Sequence, residues 1–206
     1  MTELQKNFLK RAKRPKDVMH MKELLKKYLK SNEYVGVYAN PRDSEKFLFG
    51  KILAVDEDFF AFLAFDVDGA FGGVEIRRID NVTNIETKGM YIEKMKKLID
   101  GNGLDVINTL RFGGEILADA LKYSQKNKRV VSIELDESGN NDENGNYDVV
   151  GIVESTDGGI CKVALIDKYG FSDGYAEFRA GDITMVTFMS KSDRIREKLF
   201  EKSKKA

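Results

Sequence analysis

The chain repeats itself. A shift of 101 residues, without a gap, lays Gly50 on Gly151, Asp56 on Asp157, Asp66 on Asp167, Gly69 on Gly170, Gly73 on Gly174, Arg78 on Arg179 and Thr83 on Thr184. Over residues 50–99 nine positions are identical, and most of them are glycine, aspartate or arginine, the residues that turns and charged contacts hold in place. Apolar positions keep the same register, Ile52 with Val153, Phe62 with Val163, Val82 with Ile183 and Leu98 with Leu199. Such a chain must fold into an object built twice.

Within one unit the pattern predicts an apolar strand at 34–39, a loop containing Asn40 and Pro41, and four more short strands at 47–55, 59–65, 74–78 and 82–86. These runs are rich in β-branched and aromatic residues and are bounded by turn formers. Asp68-Gly69, with Gly72 and Gly73, marks a hairpin. Five strands in so short a segment imply a small barrel, with units at about 35–88 and 130–189. A helix precedes each: Val18, Met21, Leu25, Tyr28 and Leu29 recur at helical spacing, as do Ile116, Leu117, Ala120 and Leu121. Tyr91, Met95, Leu98 and Ile99 predict a linker helix, and Ile195, Leu199 and Phe200 a C-terminal one. The glycine-rich stretch from 100 to 114 is the natural connector.

Charge is balanced overall, 34 basic against 34 acidic residues, but unevenly placed. Residues 1–30 hold 10 Lys/Arg and 3 acids, residues 191–206 hold 7 and 3, and the segment between them carries 17 basic against 28 acidic residues. The barrels are acidic and the ends basic. No apolar run approaches the ~18 residues of a membrane span, and the basic N-terminus lacks the apolar stretch of a secretory signal, so a cytoplasmic protein without a membrane partner is expected. The single cysteine, Cys161, excludes a disulfide framework and a cysteine-rich zinc site, and reads as a buried thiol. The single histidine, His20, lies beside the apolar positions of the first helix with no partners for triad chemistry.

A helix followed by a five-stranded unit, with a glycine on its second strand and an arginine in its last hairpin, resembles the Sm-like family, the small barrels of RNA-associated ring proteins. In that family's first motif a glycine precedes an aspartate by six residues; Gly50 and Asp56, and again Gly151 and Asp157, hold that spacing. The second motif has an arginine four residues before an apolar residue; Arg78 to Val82 and Arg179 to Ile183 keep it. The resemblance implies a fold of α+β class, mainly β: two tandem Sm-like/SH3-like five-stranded barrels, each preceded by a helix, with linker and C-terminal helices. The domain boundaries are then a basic tail at 1–16, a first unit with flanking helices at 17–100, a connector at 101–114 and a second unit with its C-terminal helix at 115–206.

For function the departures weigh more. The motif asparagine of the RNA-binding members falls on Phe60 and Cys161, and the motif glycine on Ile79 and Ala180, so no side chain is left there to read a base edge. The remaining candidate nucleic-acid or ligand contacts are Phe59 as a stacking face, Arg78, Asn81 and Arg179, with Lys10, Arg11, Lys13 and Arg14 of the basic tail as phosphate contacts. In Phe59 to Phe65 both strand faces are apolar, which a half-exposed strand would not be, so Phe59, Leu63 and Phe65 are candidate interface residues against a helix, the other unit or another subunit. Residues 64–75 imitate a calcium loop but lack its first ligand and read as a hairpin; 136–146 read as a solvated loop. There is no phosphate-binding glycine loop and no catalytic constellation, so no cofactor, metal or catalytic residue is assigned. The expected function is a non-enzymatic binding or assembly module acting through self-association or another protein. The alternative is an adaptor for single-stranded RNA.

Overall fold

A computed structural model of the protein describes residues 15–39, 47–99, 110–136 and 148–204. The described residues form four α-helices and ten strands, in the order α1 (Pro15–Ser31), β1 (Val35–Tyr38), β2 (Leu48–Val55), β3 (Phe59–Phe65), β4 (Phe71–Arg78), β5 (Asn84–Glu86), α2 (Met90–Leu98), α3 (Ile116–Asn127), β6 (Val130–Leu135), β7 (Asp148–Asp157), β8 (Ile160–Ile166), β9 (Ser172–Arg179), β10 (Ile183–Phe188) and α4 (Lys191–Ser203). A short 3₁₀ turn links β4 to β5 (Ile79–Asn81) and another links β9 to β10 (Ala180–Asp182). No described helix is long and apolar enough to cross a membrane.

The expected α+β, mainly β class and the helix before each five-stranded half are present, but the two closed barrels are not. All ten strands belong to a single antiparallel sheet in the order β5-β1-β2-β3-β4-β10-β6-β7-β8-β9. The outer edge of β4, which a closed barrel would turn back on its own half, instead pairs with β10 of the other half, Val74 to Arg77 against Phe188 to Met185. β5 returns past the 3₁₀ turn to the far side of β1. Each half therefore satisfies its backbone by joining the other, and the sheet ends at β5 and β9.

The repeat extends to details of backbone. Register slips at Leu53 in the β2–β3 pair and at Glu154 in the β7–β8 pair, 101 residues apart. Lys88 and Met189 both turn at positive φ, 61° and 60°, just before α2 and α4. At Gly50 a Cβ would lie 1.8 Å from the Leu63 carbonyl oxygen, and at Gly151 it would lie 2.0 Å from that of Ala164. Only glycine lets the neighbouring strand pass so close, which is why this residue survives in both halves.

The two faces of β3 pack into different cores. Phe60, Phe62 and Ala64 on one face of β3 meet Leu25 of α1, Val35, Val37, Ile52 and Ile79 in a core belonging to the first half. Ala61, Leu63 and Phe65 on the opposite face join a larger core with Ile92 and Met95 of α2, Ile116, Ala120 and Leu121 of α3, and Val131, Val163, Val186 and Phe188 of the second half. The two-faced apolar strand is thus buried by the chain's own helices and its other half. α3 is the wedge: it packs on β7 and β10 and also reaches β3 and β4.

Candidate functional site

The β2–β3 turn and the 3₁₀ turn after β4 meet, because the Ile79 N–H donates to the Asp58 carbonyl at 2.8 Å; the Ala180 N–H does the same to Gly159 in the second half. This brings together three residues that the sequence singles out. The Arg78 guanidinium lies 5.8 Å from the centroid of the Phe59 ring, and Asn81 lies in the same turn. Arg78, Asp80 and Asn81 line a groove of about 780 Å³ whose other wall is α1, with Met19, Lys22 and Lys26 facing Glu57 and Asp58. Its cations are already partnered: Arg78 with Asp80, Lys22 with Glu57, and Lys26 with Glu23. A phosphate entering here would have to displace carboxylates.

The second half does not reproduce this arrangement. Arg179 pairs with Asp182 at 2.9 Å, and Ile160 stands where Phe59 would give a stacking face. Arg78 and Arg179 are therefore not two copies of one site. The hairpins also differ. The first uses the Asp56 carboxylate, whose Oδ1 accepts from the backbone of Asp58 and Phe59 at 2.9 and 2.7 Å. The second turns on Gly158 and Gly159, both at positive φ, and needs no side chain. The freed oxygen of Asp56, Oδ2, accepts from the Ile116 N–H at 2.7 Å, so the first half caps the helix that opens the second.

Of the candidate interface residues, Leu63 and Phe65 lie inside the chain's own core, 0% and 6% exposed, and Phe59 is half-buried. Lys10, Arg11, Lys13 and Arg14 lie outside the described residues, as does nearly all of the 136–146 loop. Residues 64–75 are the β3–β4 hairpin, as expected. Cys161 is buried and its thiol is pushed up to about 11 by desolvation. Among the described residues no group of His, Cys, Asp and Glu is placed to hold a metal ion.

One exposed end of the sheet is a surface that the sequence did not reveal. β9 is an end strand of eight residues, of which six are exposed and two half-buried. Its counterpart β4 has Val74 and Ile76 fully buried; β9 has Tyr175 at 63% exposure and an exposed Glu177 at the same positions. Tyr169 and Phe171, in the turn before it, are 63% and 58% exposed, and Lys162 of β8 lies 4.6 Å over the Tyr175 ring. The signal was present in the aligned repeats, as the exchange of two aliphatic residues for tyrosine and glutamate. No family model, no curated protein and no solved structure matches the chain.

Proposed function

We propose that the chain is a non-enzymatic binding and assembly module, two Sm-like units in tandem that offer the open end of their shared sheet to another protein strand. The observation that carries this is β9: an end strand of eight residues whose outer side no described strand pairs, with neighbouring exposed aromatic side chains. Proteins ordinarily blunt or cover such an edge, and a strand added to it gains main-chain hydrogen bonds along its length. The Sm-like assignment is supported by the order β5-β1-β2-β3-β4 within the first half, the leading helix, and the meeting of the two motif turns at Arg78. The non-enzymatic character is supported by where two groups whose pKa burial raises are placed. Cys161 is enclosed in the core, and Asp193 is held by Ser190 and Ser132 in a helix cap.

Amide hydrogen exchange over Ser172–Arg179 tests this. The outward amides of β9 exchange rapidly in dilute purified protein and gain protection when a strand is added, in concentrated protein or in cell extract. Protection in neither setting would refute the proposal. The RNA-adaptor reading is favoured by one observation, the stacking of Arg78 on Phe59 beside Asn81. It requires salt-dependent binding of single-stranded RNA at about 50 mM salt that is lost with residues 1–16; no binding there removes it.

A further inference from the structure

One contiguous stripe runs across the molecule from helix to turn to helix to turn. It begins at α2, whose C-terminal end packs on the β3–β4 turn so closely that a Cβ on Gly69 would stand 2.3 Å from the Leu98 carbonyl oxygen. The start of β4, just past that turn, meets α4. Arg194 donates to the Phe71 carbonyl at 3.4 Å and lies over the Phe71 ring, and a Cβ on Gly73 would stand 2.8 Å from the Ser190 nitrogen. At its other end α4 meets the β8–β9 turn, where Ser203 donates to the Gly170 carbonyl at 2.9 Å.

Of the ten large apolar side chains exposed among the described residues, seven lie on this stripe. Met90, Tyr91 and Leu98 belong to α2 and Val67 to the β3–β4 turn, with Met90 93% exposed. Ile195 belongs to α4, and Tyr169 and Phe171 to the β8–β9 turn. They project from helix backs and turn tips instead of lining the groove at Arg78. Lysines stand between them. By their spacing Met90, Lys94 and Lys97 share one face of α2, and Lys191, Ile195, Lys198 and Lys202 share one face of α4. All seven are exposed, and among the described residues no carboxylate partners any of these five lysines. α2 holds 3 Lys against 1 Glu, although the segment 31–190 around it carries 17 basic against 28 acidic residues; α4 holds 5 Lys/Arg against 3 acids, of which Asp193 is buried.

We infer that this stripe is a docking surface for an anionic lipid bilayer, on which the protein lies without spanning it. Apolar and basic side chains are interleaved along both helix faces, whereas a protein partner ordinarily meets an apolar centre inside a polar rim. A headgroup layer accepts the interleaved pattern: Met90, Val67 and Ile195 enter the acyl boundary, the rings of Tyr91 and Tyr169 sit at headgroup level, and the lysine stems reach lipid phosphates. A protein held in this way needs no spanning helix, so the expectation of no membrane partner, which came from the lack of a span, gives way to a surface-bound one. The stripe lies beside the β9 edge and does not depend on it.

Flotation of the full chain with vesicles tests this. With about 30% phosphatidylglycerol in phosphatidylcholine the protein floats with the lipid in about 50 mM salt, and it stays behind in about 500 mM salt or with phosphatidylcholine alone. Lys94→Glu combined with Lys198→Glu, both at exposed positions, weakens binding at least about tenfold with the melting temperature unchanged. The chain has no tryptophan, so Met90→Trp and Ile195→Trp each report insertion, their emission moving to shorter wavelength on anionic vesicles only. No flotation, flotation that the double charge reversal leaves unchanged, or tryptophan emission that does not move overturns the inference. Retention on immobilised polyglutamate without flotation overturns it in favour of an acidic protein partner. Amide exchange in β9 is the same in every one of these variants, so the open-edge proposal stands or falls separately.

Discussion

Asp56 and Asp157 are equivalent in the repeat and unequal in the fold, which makes their substitution a sharp test of how the halves are joined. The Asp56 carboxylate accepts three backbone hydrogen bonds: two hold the β2–β3 turn and the third, from Ile116, caps α3. Glu115, the residue at the α3 N-cap, makes no capping bond of its own, so nothing local replaces that contribution. A lost cap costs about 1 kcal/mol. The two turn bonds, one exposed and one partly buried, add about 1–2 kcal/mol because their donors lose a charged acceptor. Asp56→Ala is therefore expected to destabilise the protein by about 2–3 kcal/mol, lowering the melting temperature of a chain this size by about 5–10 °C. Asp157 is exposed, its hairpin turns on two glycines, and Asp157→Ala should cost less than about 0.5 kcal/mol. Asp56→Asn keeps one acceptor oxygen for the turn but not a second for Ile116, and should fall between them. Scanning calorimetry on the three variants decides the matter. Equal effects of Asp56→Ala and Asp157→Ala would refute the cross-repeat cap.

Three further outcomes follow from the same structure. Gly50→Ala and Gly151→Ala each drive a methyl into a strand carbonyl and should cost about 3 kcal/mol or more, read as loss of folded protein in thermal melts. Asp193 is 1% exposed, and burial raises its pKa above the ordinary aspartate value, so the folded state binds the proton more tightly than the unfolded chain. Its contribution to stability therefore declines as pH rises through the interval just above that value, and urea titrations of Asp193→Asn should lack this component of the slope. Cys161, with its thiol pushed up to about 11, should resist alkylation at pH 8 in the native protein and react at a normal thiol rate in denaturant, as measured by mass spectrometry.

Much of the candidate site follows from local chemistry. The spacing of Gly50 and Asp56, the turn formers around Asp68 and the arginine before the last strand place two hairpins and a 3₁₀ turn, and these bring Phe59, Arg78 and Asn81 together. What the spacing cannot convey is that Lys22, on the helical wall of the groove, is consumed by Glu57, since the two are distant in the chain. Likewise Leu63 and Phe65 read as interface residues with three alternative partners, because a strand's periodicity reports that both faces are covered, and not by what; the chain's own helices and second half cover them.

The amino-acid sequence by itself determined the duplication, the alternation of helix and five strands in each half, and the positions where only glycine fits, because these depend on turn geometry and on period-two burial within a few residues. Whether each half closes on itself was decided only in three dimensions. A strand edge carries the same donors and acceptors whichever partner it takes, and β4 pairs with β10 because α3, capped by Asp56, can bury the first half's outer face against the second. The same choice left β9 open, and the polar side chains beside it acquire meaning only once its twin, β4, is seen covered.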